Sequence, residues 1–279
     1  MDLKALEIMP PWEWPKGTGK ELRKVLADGR ADAADRLIAA ELAGDFTVIN
    51  DELAGQLLGI VRNSGEPEAL RGQAAISFGA ALETADTFEF EDPDEVPISE
   101  PVFHAIQETL QQIYRDESVP KLVRRRALEA SVRASETWHA DAIRTAYSSG
   151  DQEWRLTAVF AMRWVRGFDA QILESLHSAD EEIHYEAVEA AGNWGIDAAW
   201  PHVAALVKSE ATEKSLRLAA IGAVAGIRPA EAVEMLAELT GSDDEDIADA
   251  ASDAMAMADE SDDEFDKDEE DEEDGDWLQ

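Results

Sequence analysis

The chain has 279 residues, 45% of them hydrophobic, with 62 acidic against 24 basic side chains and a formal net charge of −38. This composition supports a buried core but disfavours direct nucleic-acid binding, which needs a basic patch to displace counterions. With no cysteine, disulfides, thiolate metal sites, iron–sulfur clusters and cysteine nucleophiles are all excluded.

The first residues lack the basic start and apolar core of a secretory signal, and no apolar run is long enough to span a bilayer, so a cytoplasmic protein is expected. Pro10, Pro11 and Pro15 around Trp12 and Trp14 make this stretch too proline-rich for a helix interior. Residues 1–19 therefore read as an N-terminal cap whose tryptophans cover the open end of the first repeat. The competing reading is an exposed peptide that docks elsewhere. Weaker helical pairs follow from Lys20 to Asn63.

A repeat then emerges. An apolar residue, usually an arginine, two further residues and an alanine recur at Leu70-Arg71 with Ala74, Val123-Arg124 with Ala127, and Trp154-Arg155 with Ala158. The pattern returns at Ile183-His184 with Ala187, Leu216-Arg217 with Ala220, and Ile247-Ala248 with Ala251. Successive alanines from Ala127 onward are 31, 29, 33 and 31 residues apart, and an insertion separates Ala74 from Ala127. Leu216, Ala220 and Ala223 lie at i, i+4 and i+7, one face of a helix, where small side chains admit a close neighbour. A second apolar helix follows each first one, as with Val203, Leu206 and Val207. Acids such as Asp180 and Asp244 stand just before first helices, where the positive helix end favours them. Each unit is then a helical hairpin that completes its core by stacking on the next. No segment reads as a strand.

These residues resemble the HEAT repeat family, in particular the short bacterial HEAT-like repeats of the phycobilisome-lyase type, over roughly residues 66–258. The resemblance implies an all-α, right-handed α-solenoid; with the weaker pairs before it the array runs over 20–258, and Pro93, Pro97 and Pro101 among acids mark an acidic loop insertion at 85–101. It leaves function open. Deoxyhypusine hydroxylases, a HEAT enzyme class, hold iron through His-Glu dipeptides, and this sequence has none. His104, His139, His177, His184 and His202 include no pair at i, i+3 or i+4, so no helical metal pair is expected. No phosphate loop or nucleophile elbow is present. The expectation is a chain that is not an enzyme, with no catalytic residue, metal or cofactor.

Arg163, Trp164, Arg166, Trp194, Trp200 and His202 fall near equivalent helix ends and form the candidate partner-binding region, since tryptophan and arginine are enriched at hot spots. Filling of gaps between hairpins is the competing role. Arg124, Arg155 and Arg217 read as a ladder bonding acids of adjacent repeats.

Charge is segmented. Nine of the sixteen arginines lie between Arg115 and Arg166, while residues 259–279 hold 14 acids and a single lysine, ending in Trp277 and Leu278. That tail reads as disordered. It could fold back weakly on the basic band, serve as bait for a basic partner, or keep the protein soluble. The expected function is a monomeric protein-binding scaffold or adaptor for a protein partner, a basic one among the candidates. The alternatives are a cofactor- or chromophore-handling lyase-like enzyme and an acidic nucleic-acid mimic that binds basic proteins.

Overall fold

Several helices start by one recipe. Asp32, Asp151, Asp180 and Glu213 each stand at an N-cap with extended backbone and accept hydrogen bonds from the first-turn amides, satisfying donors that the helix leaves unpaired. Pro67 and Pro120 occupy the same position without a side-chain cap. Acids before first helices are thus caps, as the sequence suggests.

The computed structural model describes residues 2–90 and 95–258. The tail 259–279, with Trp277 and Leu278, and residues 91–94 of the acidic insertion lie outside the described residues. The chain divides into two compact units, one up to Ala142 and one from Ile143. The first contains α1 (Leu3–Glu7), α2 (Thr18–Ala27), α3 (Ala33–Leu42), α4 (Asp51–Arg62), α5 (Glu68–Ile76), α6 (Gly79–Phe88), α7 (Glu100–Arg115) and α8 (Lys121–Ser131). The boundary falls inside α9 (His139–Ser148). The second unit continues with α10 (Gln152–Ala161), α11 (Asp169–Ser175), α12 (Glu181–Asn193), α13 (Trp200–Lys208), α14 (Lys214–Ile227) and α15 (Pro229–Leu236). A further helix, α16, covers 245–258.

The fold is all-α, with no strand among the described residues. In the first unit α3 packs on α5 and α5 on α8, with α4 and α7 laid alongside. In the second, α10 packs on α12 and α12 on α14, with α11 and α13 alongside. This is the hairpin stacking of a helical-repeat solenoid. The alanine columns face the stack: Ala127, Ala158, Ala187, Ala220 and Ala251 are all fully buried. The extra spacing after Ala74 is filled partly by α6, which runs to Phe88, and α7 begins at Glu100, so helices take both ends of the segment expected as a loop over 85–101.

Close approach requires glycine at one recurring place. An added Cβ at Gly44, just past α3, would lie 2.2 Å from the Ser77 carbonyl oxygen at the end of α5. At Gly192, near the end of α12, it would lie 2.6 Å from Ala223 Cα in α14. No side chain fits either seam.

The N-terminal segment divides its two tryptophans. Trp14 is half-buried and donates its indole N–H to the carbonyls of Met9 (3.0 Å) and Leu6 (3.2 Å), closing the segment over buried Leu3 and Leu6. Trp12 does not cover the repeat: it is 79% exposed. No described helix is long and apolar enough to cross a membrane.

Candidate functional site

The first helices carry their arginine at the fourth helical position, which faces the end of the helix before it. Arg71 Nε donates to Val61 O at 3.0 Å, Arg124 Nε to Tyr114 O at 2.8 Å and Arg217 Nε to Val207 O at 3.0 Å. Arg36, preceded by an aspartate and therefore missed by the sequence pattern, reaches Leu26 O at 3.1 Å through a terminal guanidinium nitrogen (Nη2) instead. Each acceptor lies ten residues upstream. These guanidiniums cap the C-terminal carbonyls of the preceding helix, groups that otherwise lack intrahelical partners. Arg124 and Arg217 thus each reach a main-chain acceptor, a target that the expected acid ladder did not include. Arg155 comes nearest to that expectation, bonding Glu174 at 2.7 Å and the Tyr147 hydroxyl at 2.9 Å.

Four of the six predicted binding residues come together where α10 and α12 end. Trp194 donates its indole N–H to Met162 O at 2.6 Å, and Asn193 donates to Arg163 O at 3.0 Å. Arg163 pairs with Glu186 (3.2 Å) and Glu189 (2.9 Å) of α12, and its guanidinium lies 6.0 Å from the Trp164 ring. Those pairs tie one helix to the next. Arg166 is exposed and stacks its guanidinium 4.4 Å from the Trp194 ring centroid.

The other two make contacts elsewhere. Trp200 stacks with Arg228 at 5.5 Å, and Arg228 bonds Asp197 at 2.6 Å, near the start of α13. His202 joins a histidine cluster that the sequence did not reveal. Its Nε2 is 2.9 Å from His184 Nε2, and its ring meets that of His177 edge to face at 4.9 Å. The three come from the turn after α11, the first turns of α12 and the first turn of α13, so no local spacing announces them. Burial, and then the neighbouring imidazoles, hold His184 and His202 below the ordinary histidine value.

Beside His177 lies a polar cavity of about 570 Å³, lined in part by Tyr147, Asp151, Arg155, Glu174, Asp180 and Ile183. None of Trp164, Trp194 and Trp200 borders it.

No protein-family model matches the chain, nor does any curated protein. Among solved structures it is similar to human deoxyhypusine hydroxylase in complex with glycerol, at 16% identity over 92% of this chain and 88% of that one, TM-score 0.40. It is also similar to the complex of CpcE and CpcF of phycocyanin lyase from Nostoc, at 16% identity over 90% and 98% of the two chains, TM-score 0.44. A designed armadillo repeat protein matches at 16% identity over 85% and 98%, TM-score 0.31. The likeness is one of architecture. Against the expectation that the chain is not an enzyme, a phycocyanin lyase and a hydroxylase stand among these matches.

Proposed function

We propose that the chain is a protein-binding repeat protein whose contact region in the second unit centres on Arg166 and Trp194, with Arg163 and Trp164 holding that region in shape. The observation that carries this reading is the stack itself. The Trp194 ring is pinned by its bond to Met162 O, so it presents a fixed face, and exposed Arg166 lies on that face. A preordered aromatic–guanidinium pair loses little conformational entropy on binding and is typical of interface anchors. The formal charge of −38 favours a partner with a basic surface through steering at long range. Trp200 and His202, named with this region from sequence, make their contacts with Arg228 and with His177 and His184 and are left outside it.

Affinity capture with the full chain, followed by binding measurements on each recovered protein, tests the reading. Arg166→Ala is expected to weaken the interaction by about 2 kcal/mol while leaving Tm unchanged. Equal affinity for the parent and Arg166→Ala would remove this surface from the interface.

The cavity beside His177 favours a second reading, a ligand-handling and lyase-like role. Its volume of about 570 Å³ suits a small organic molecule, and Arg155, Tyr147 and His177 offer polar contacts. Native mass spectrometry of the purified chain tests this: a retained small molecule lost in Arg155→Ala supports it, and a bare chain with no stabilisation by any screened ligand opposes it.

A further inference from the structure

The fourth helical position of the first helices shows one informative exception. Where α3, α5, α8 and α14 place an arginine clamped to a main-chain carbonyl, α12 places His184. An arginine clamp keeps its charge at every physiological pH. A histidine contact does not.

His184 Nε2 and His202 Nε2 face each other at 2.9 Å. That contact is a hydrogen bond only while one of the two nitrogens carries a proton and the other offers its lone pair. A second proton would put two N–H groups, and two positive charges, head to head. His177, edge-on to His202, adds a third imidazole to the same space. Both members of the facing pair are about half-buried, so water screens their repulsion poorly.

We propose that His177, His184 and His202 form a proton-operated latch joining the first turn of α13 to the α11–α12 turn, closed near neutral pH and released on mild acidification. His177 also lines the neighbouring cavity, so release alters one of its walls.

The carboxylates that line the cavity with His177 already have other partners. Asp180, at the head of α12, is engaged as its cap and with Gln152, and Asp151 caps α10 in the same way. Glu174 from α11 is paired with Arg155 from α10, which itself brings a positive charge to the cavity. Among the described residues no group of three or more histidines, cysteines or carboxylates is arranged to hold a metal ion, so the trio is read as binding protons.

The direction follows from the depressed protonation of His184 and His202 in the folded chain. The unfolded chain binds protons at the ordinary histidine value, near 6.5, so the latch contributes fully above that pH and is lost as pH falls toward the lower folded values.

The experiment is histidine-ring NMR on the isotopically labelled full chain from pH 8 to pH 5, with chemical denaturation at pH 7.5 and pH 5.5. The expected result has His184 and His202 in complementary Nε2 protonation states at neutral pH, titrating together below 6.5. Between pH 7.5 and 5.5 the unfolding constant should rise several-fold more in the parent than in His184→Gln. His202→Gln provides the same comparison should the first variant fold poorly. Independent titration of all three rings near 6.5, or the same pH response in parent and both variants, would overturn the latch. So would stoichiometric zinc binding that moves all three ring signals at neutral pH, which would reassign the cluster as a metal site.

Discussion

In the first unit Arg36, Arg71 and Arg124 each reach back to a carbonyl at the end of the preceding helix. In the second, Arg217 does so, Arg155 turns to Tyr147 and Glu174, and position 184 carries a histidine. A main-chain acceptor places no demand on the side chains around it, so the clamp recurs in repeats of otherwise different sequence. Once the clamp is replaced, the joint depends on particular neighbours. The first unit is therefore regular at this joint, and in the second His177, His184 and His202 gather beside it.

The seams present in both units give the largest expected effect. Gly44→Ala would place a methyl 2.2 Å from Ser77 O, and Gly192→Ala would place one 2.6 Å from Ala223 Cα. Since the obstructing atoms are backbone, neither neighbour can rotate away. Each substitution should cost about 3 kcal/mol, the upper end for overpacking, read as a drop in denaturation midpoint at constant m-value. An unaffected midpoint in either variant would mean that the two helices can move apart without loss.

Arg71→Ala is next. Arg71 is buried, and its removal leaves Val61 O without its guanidinium partner, so about 2 kcal/mol should be lost. Arg217→Ala removes the same bond at a half-buried position and should cost about 1 kcal/mol. Equal losses at the two sites would show that burial does not set the value of the clamp.

A pH effect sharpens the contrast between a structural histidine and the proposed latch. His139 is fully buried, accepts from the Glu136 amide on Nδ1 at 2.8 Å and places Nε2 3.0 Å from the Ser131 hydroxyl. Burial pushes its pKa down to about 4. Its contribution is complete above the unfolded value near 6.5 and declines as pH falls toward 4. His139→Gln should remove about 1–2 kcal/mol of the acid-induced loss between pH 7.5 and 5. An unchanged pH profile would show that His139 is protonated without strain in the fold.

The alanine columns were legible because a helical face has a fixed period, and Ala127, Ala158, Ala187 and Ala220 stand buried where that period puts them. The arginines beside them were legible as a ladder, but their acceptor was not, since a main-chain carbonyl leaves no mark in sequence. Trp12 and Trp14 looked alike from composition; only the turn at Pro11–Glu13 decides which one the core receives. That Arg163, Trp164, Arg166 and Trp194 meet was legible from equivalent helix ends. The histidine trio was not, because His177, His184 and His202 meet through the path of two turns rather than through any repeat spacing.

The glycine seams also limit how far these repeats can be treated as interchangeable parts. Gly44 fits against Ser77, whereas Gly192 fits against Ala223, and an added Cβ at Gly226 would come within 2.4 Å of Gly192 O. The matching surface of each repeat thus resides in the next one along. A repeat transplanted or duplicated by itself would arrive with half of a fitted edge, so an array lengthened by engineering would have to copy neighbouring halves together, cutting through the hairpins rather than between them.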